Sequence, residues 1–239
     1  MPARALMTRR ATASIDNARS TRDLILDAAE RRFAERGFAG VSVREIAADA
    51  GLKNQASLYN HFRNKRALYE ATLARGLEPI VALVAARAAT GDGTPSGGIE
   101  PPTLEAFLDR VLDYLEAHPH LPRLIQRAGL DDSRHFRSTV SRLLQPLYAQ
   151  GMRVLGGVVG PWEPAQLPQL AAGLYHLIFG YFANATLLQA VARGDPLSPV
   201  AVARQRRFLK TAVARLLGVG TAQARGQSKA RRNGKEASI

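Results

Sequence analysis

An all-α fold is predicted from three observations. Apolar residues recur at spacings of three and four from Arg22 to Leu217, the period of a helix with one buried face. Alternating polar and apolar runs that would mark strands are nearly absent. Glycine, proline and short polar clusters punctuate the chain at Gly37, Gly51, 90–102, His118-Pro119, 129–132, 156–164 and 194–199, where helices are expected to stop. Between these breaks lie about nine helices, at 22–36, 43–50, 55–61, 65–89, 103–117, 120–128, 133–155, 164–193 and 199–217. A chain of 239 residues is long enough for one large domain or two small ones, at roughly 100 to 200 residues each.

The first helix offers Leu24, Ile25, Ala28, Ala29 and Phe33 to a core. It closes at Gly37, whose missing Cβ permits a left-handed cap, and Phe38 can fold back on Phe33. The second opens with Ser42-Val-Arg-Glu45, a capping box in which Ser42 accepts from the Glu45 amide and the Glu45 carboxylate accepts from the Ser42 amide. Val41 and Ile46 form a hydrophobic staple around it, and Ala47 and Ala50 allow close packing. Asn54 then suits the cap of the third helix.

Two short helices joined by a few residues form a helix-turn-helix, whose second helix can enter a DNA major groove about 12 Å wide. In the third helix Leu58 and Phe62 face inward, which leaves Gln55, Ala56, Tyr59 and Asn60 outside at its N-terminal end. Recognition helices meet base edges at that end. Gln55 can pair with adenine, Ala56 can touch a thymine methyl, and the Tyr59 hydroxyl can reach a phosphate or base. Lys65 and the amides after Asn64 would form a phosphate site.

Pro79 is expected to kink or divide the fourth helix. In the eighth, Gly173, His176, Gly180, Asn184 and Leu187 fall on one stripe whose small residues would allow a second copy to approach. With the ninth helix it would complete an intersubunit four-helix bundle; the plainer alternative is the core of a single subunit. The same stretch has no charged side chain between Glu163 and Arg193. Its length would allow a membrane span, but its internal Tyr175, His176, Tyr181, Asn184 and Thr186 favour a buried bundle helix, so no membrane is expected. A ligand pocket among the fourth to eighth helices would be lined by Tyr114, Phe136, Tyr148, Met152, Phe179 and Phe182. Arg127 could meet an anionic ligand there, although pairing with Asp131 or Asp132 is simpler.

The chain has no cysteine, which excludes disulfides, thiolate catalysis and cysteine-ligated metals. His118-Pro-His120, His135 and His176 could suggest a metal site; a helix ending at His118-Pro119 is the simpler reading, and neither metal nor cofactor is expected. No G-x-S-x-G, H-E-x-x-H or G-x-G-x-x-G motif occurs, and the glycine-rich segment 91–98 lacks the lysine of a phosphate loop. An enzyme is therefore not expected. Net charge is +13, pointing to nucleic acid or an anionic surface. Residues 1–20 carry +3 and 221–239 carry +4, so the ends hold more than half of it. The arm 1–19 and the tail 220–239 are expected to be disordered when free and to add affinity without sequence choice. The N-terminus lacks the apolar core of a secretory signal, and a cytoplasmic location is expected.

Residues 21–69 resemble the N-terminal DNA-binding domain of TetR-family bacterial regulators, in Val43-Arg-Glu-Ile-Ala-Ala-Asp-Ala-Gly51 and Leu58-Tyr-Asn-His-Phe-Arg-Asn-Lys-Arg-Ala-Leu68. The resemblance implies a DNA-binding domain at 20–68 and a ligand-binding and dimerisation domain at 69–219. It also implies a homodimer bound to double-stranded operator DNA and released by a small apolar or amphipathic ligand. By motif position Arg44 and Gln55 resemble base-contacting residues, while Ser42, Tyr59, His61 and Lys65 resemble phosphate-facing ones. Asn54, Ala56, Ser57 and Asn60 complete the candidate surface. The turn at 51–55 is one residue longer than the commonest family form, and Gln55 stands where Gly, Ala or Pro is frequent. A repressor is the expected output; the competing reading is an architectural DNA-binding protein driven by its basic ends.

Overall fold

The computed structural model describes residues 20–89, 101–130, 134–157, 162–192 and 194–219, with backbone alone for 88–89, 101–103 and 134–140. The arm and tail, Asp131, Asp132 and the side chains of Phe136 and His135 lie outside the described residues. Those described contain ten α-helices and no strand. In order they are α1 (Thr21–Arg36), α2 (Val43–Asp49), α3 (Gln55–Tyr59), α4 (Lys65–Ala89), α5 (Pro101–Ala117) and α6 (Leu121–Leu130). After these come α7 (Arg134–Gly156), a 3-10 turn (Pro164–Gln166), α8 (Leu167–Ala183), α9 (Ala185–Ala192) and α10 (Pro199–Leu216).

The chain divides into two compact units, 1–72 and 73–239, and α4 begins in the first and ends in the second. In the first unit Ile25, Leu26, Phe33, Ile46, Leu58 and Leu68 are fully buried. Leu24, expected inside, is 39% exposed, and Leu26 takes its place. The buried arc of α1 runs through Ile25, Leu26, Ala28, Ala29, Phe33 and Ala34, wider than a single stripe and rotated away from Leu24. Phe38 does stack on Phe33, with ring centroids 6.1 Å apart. Tyr69 meets both rings edge-on at 4.8 and 5.3 Å, a geometry that aromatic quadrupoles favour.

In the second unit one cluster joins Leu77 and Ile80 of α4 to Leu112, Leu115, Leu121, Ile125, Phe179 and Leu209. Another gathers Leu104, Leu108, Leu155, Leu170, Val213 and Leu217. Gly76 marks a close approach: a Cβ there would lie 2.3 Å from Leu121 Cδ1, so the end of the Leu121 side chain would have to shift. The Tyr114 hydroxyl donates to the Gly76 carbonyl at 3.0 Å. Arg206 of α10 donates to Asp109 at 2.9 Å, to Asp113 at 2.7 Å and to Glu116, while Lys210 donates to Asp109 at 2.7 Å. These bonds fasten α10 along α5.

One expectation about helix ends is corrected, and one is narrowed. Of the two outcomes expected at Pro79, division does not occur: the fourth helix runs through it as one helix. The eighth breaks at Asn184, whose backbone N–H donates to the Gly180 carbonyl at 3.0 Å and whose side-chain amide donates to the same carbonyl at 2.9 Å. An Asn side chain that competes for backbone partners favours termini over helix interiors. The segments on either side of Asn184 are bent by 71°. No single helix among the described residues is long and apolar enough to cross a membrane; the bent pair passes that test only when its two parts are taken together. α9 was expected within a buried helix and contains no buried residue.

Candidate nucleic-acid interface and ligand cavity

The helix-turn-helix is held by short-range chemistry. Ser42 and Glu45 form the reciprocal capping box: the Glu45 amide donates to Ser42 Oγ at 3.2 Å, and the Ser42 amide and hydroxyl both donate to Glu45 Oε2 at 2.7 Å. Arg36 of α1 donates to the other Glu45 oxygen at 2.5 Å. The hydrogen bond from Arg36, followed by those from Ser42, holds the Glu45 carboxyl down to about 2. Asp49, at the end of α2, accepts from Arg32 at 2.6 and 2.7 Å and from Arg31 at 3.1 Å. Arg32 before Arg31 lowers its carboxyl to about 2. Two carboxylates of α2 are thus matched to three arginines of α1.

α3 is short because a side chain starts it and a buried pair anchors it. The Ser57 amide donates to Asn54 Oδ1 at 3.0 Å and the Ser57 hydroxyl donates to the same atom at 3.2 Å. Leu58 is buried completely and Phe62 is 5% exposed. Gln55, Ala56, Tyr59, Asn60 and His61 are all exposed, as is Arg44 at the start of α2. The expected outward face of α3 is therefore the observed one.

Four candidates occupy different positions from those their residue types suggested. The hydroxyls of Ser42 and Ser57 and the acceptor of Asn54 are engaged in helix caps, so these residues shape the surface. Lys65 is half-buried with Nζ 4.5 Å from the centroid of Phe38, and burial pushes its ammonium down. Two residues escaped the sequence reading, Lys53 and Arg63. Both are exposed, sit on either side of α3, and form no ion pair among the described residues. The signal for both is their position in sequence, as basic residues directly flanking α3. With Glu45 and Asp49 already paired, Arg44, Lys53 and Arg63 give this face a net positive field.

Within the second unit lies a cavity of about 420 Å³, in the range of small-molecule sites. Its walls come from α4, α5, α7, α8 and α10. Tyr148 and Phe179 line it as expected; Tyr114, Arg127, Met152 and Phe182 do not. Helical period explains the difference. α7 contributes Leu144, Leu147, Tyr148, Gly151, Val154 and Leu155, an i, i+3, i+4 face that leaves Met152 to one side. Tyr114 and Phe182 sit about one turn beyond the lining residues of α5 and α8, and both join the neighbouring core cluster. Arg127 belongs to α6, which supplies none of the wall. Sequence reasoning missed Arg87, Phe107 and Tyr175, which do line it.

The stripe expected to meet a second copy is interrupted. Gly173 and Gly180 have open space beside them, the nearest atom to a Gly180 Cβ being Asn184 Nδ2 at 3.9 Å. His176 is exposed but lies on the cavity wall. Leu187 is 62% exposed, on α9 beyond the bend. The other exposed large apolar residues of α9 and α10 are Val191, Val200 and Phe208.

Residues 25–72 match the family model described as bacterial regulatory proteins, tetR family. The chain is 30% identical over 112 residues to the HTH-type transcriptional repressor SCO4008 of Streptomyces coelicolor, covering 47% of this chain and 51% of that protein. It is 35% identical over 98 residues to the HTH-type transcriptional regulator TtgR of Pseudomonas putida, covering 41% of this chain and 46% of that protein. The aligned part thus spans about half the length of these curated relatives. Among solved structures, reduced NemR of E. coli superposes with a TM-score of 0.55 at 20% identity over 82% of this chain and 97% of that one. The fatty acid degradation regulator FadR of Bacillus halodurans gives 0.55 at 16% identity, covering 81% and 96%. At such identities the likeness speaks for the fold alone, over about four-fifths of the chain. Residues 25–72 therefore form a helix-turn-helix of the kind shared by the TetR family of bacterial regulatory proteins.

Proposed function

We propose that this protein is a sequence-specific DNA-binding transcriptional regulator, a homodimeric repressor released from a palindromic operator by a small molecule. The observation that carries the reading is α3: anchored by Leu58 and Phe62, it presents Gln55, Ala56 and Tyr59 to solvent between exposed cations. Arg44 and Gln55 are assigned to base edges, and Tyr59, His61, Lys53, Arg63 and Lys65 to phosphates. Base contacts carry sequence choice while phosphate contacts position the protein. The repressor named among the relatives supports the sign of the output. Cytoplasmic residence follows from the same reading.

Dimerisation is assigned to α8, α9 and α10, with the apolar side chains left exposed on α9 and α10 supporting it. Two recognition helices about 34 to 36 Å apart would fit successive major grooves. A ligand that prefers a conformation with another spacing must lower operator affinity by the factor of that preference. The experiment is selection of bound sequences from a random duplex pool, followed by competition against random DNA at fixed salt. A selected palindrome bound about a thousandfold or more tighter than random DNA is expected. Equal affinities would reject sequence-specific regulation and favour the architectural reading.

A further inference from the structure

The cavity of the second unit opens where α7 lacks a side chain. α7 meets it with Leu144, Leu147, Tyr148, Gly151, Val154 and Leu155. Gly151 is the middle of that face, about two turns after Leu144 and about one turn from the pairs on either side. A Cβ built there meets no other atom within 4 Å, so the backbone of α7 borders open space. α8 adds the small side chains of Pro168, Ala171 and Ala172. The inner wall is hydrocarbon, with Leu104, Leu108, Val111, Leu155 and Phe179 all buried.

Charge is what this wall lacks. Among the described lining residues the polar side chains are those of Arg87, Tyr148, Tyr175 and His176, and none is Asp, Glu or Lys. Arg87 already has a partner, so it offers no idle charge to a ligand. Tyr148 and His176 are exposed and mark the side that meets water. A ligand charge of either sign would leave its hydration for a wall without an available counter-charge, which is costly. An ion would keep its water only by leaving its charged end outside, drawing its chain back from the inner leucines. An uncharged hydrocarbon skeleton gives up no such hydration and gains from every apolar contact.

We propose that the cavity binds an uncharged, predominantly hydrocarbon molecule seated across Gly151, an inference that rests on reading the second unit as a ligand-binding domain. A single neutral polar group on it would lie toward Tyr148 and His176, where water is at hand. The test uses the full-length protein without DNA and three probes of equal chain length, each below its micellar concentration: decanol, decanoate and decyltrimethylammonium, at neutral pH. Binding is read by calorimetry and by fluorescence of Trp162, the single tryptophan, which packs in the cluster containing the wall residues Leu104, Leu155, Val213 and Leu217. Decanol is expected to bind at least about tenfold tighter than either ion, since the cost of stripping a charge exceeds that of a hydroxyl. Gly151→Leu, which fills the open space and improves helix propensity, is expected to weaken decanol by about tenfold or more without lowering the thermal midpoint. Either ion binding as tightly as decanol, no binding of decanol, or undiminished binding to a folded Gly151→Leu variant would overturn the proposal. The comparison of the three probes on the parent protein stands even if that variant fails to fold. Operator binding of the same preparation, measured separately, distinguishes this failure from failure of the regulator assignment.

Discussion

The two units differ in the sequence distance over which their functional features are assembled. The helix-turn-helix is built from residues close in sequence: Ser42 with Glu45 and Asn54 with Ser57, each three apart, and Arg32 with Asp49 on the adjacent helix, 17 apart. The cavity is bounded by side chains from Ile80 to Leu217, and no two of its wall helices are specified by each other's local sequence. A surface made of caps and short-range ion pairs leaves a motif. A space between helices leaves only apolar periodicity, which any core would share.

The largest expected effects test whether the units have separate cores. Phe33→Ala removes a fully buried ring from the first unit, at a cost of about 3 to 5 kcal/mol. Hydrogen exchange should show lost protection across α1 and α2 with α5 and α6 retained. Leu115→Ala, in the second unit, should cost about 2 to 5 kcal/mol and give the opposite pattern. Uniform loss in both variants would mean that the units unfold as one.

Within the first unit the next effect separates two kinds of contact. Gln55→Ala and Arg44→Ala are expected to cost roughly 1 to 3 kcal/mol at a defined base position. Arg63→Ala and Lys53→Ala should instead weaken selected and random DNA alike, and each should reduce the salt slope by about one. If all four variants behave alike on both DNAs, the division of roles is wrong.

Acid should weaken the first unit through its paired carboxylates. Both Glu45 and Asp49 are held at about 2 when folded, below their unfolded values of about 4.3 and 3.9. The unfolded chain therefore binds more protons as pH falls, so the stabilisation is full above about pH 5 and is lost toward about pH 2. Urea midpoints followed by a probe in the first unit should fall over this window, and Asp49→Asn should flatten the dependence. A variant with the same slope as the parent would remove Asp49 from the account.

Smaller effects concern caps and the aromatic cluster. Ser42→Ala should cost about 1 kcal/mol by removing one half of the capping box. Phe38→Leu, which removes the ring beneath Lys65, should reduce its hold by about 0.5 to 1 kcal/mol; a double-mutant cycle with Lys65→Met on thermal stability would measure it. A coupling of zero would make that contact incidental.

Legibility followed the same divide between the units. The capping box, the Asn54 cap, the inward Leu58 and Phe62 and the stacking of Phe38 on Phe33 were all readable, because each depends on residues three to five apart. Leu24 was misplaced because a helix packed over a wide arc does not reveal its rotation by spacing alone. The break at Asn184 was missed for a related reason: an apolar run reads as continuous until a side-chain amide takes the carbonyl of the previous turn. Aromatic residues and Met at helical spacing pointed to Tyr148 and Phe179 but equally to Tyr114, Met152 and Phe182, which do not line the cavity.

By itself, the sequence determined the helical class, the helix-turn-helix and the outward face of its recognition helix, since helix period, caps and turn residues act over less than two turns of chain. Tertiary structure alone decided which face of each later helix meets the cavity, that Lys65 lies on Phe38, and that α9 leaves α8 at an angle with its apolar residues uncovered. These depend on the volumes and positions of side chains far apart in sequence, and close packing is a property of the assembled helices together.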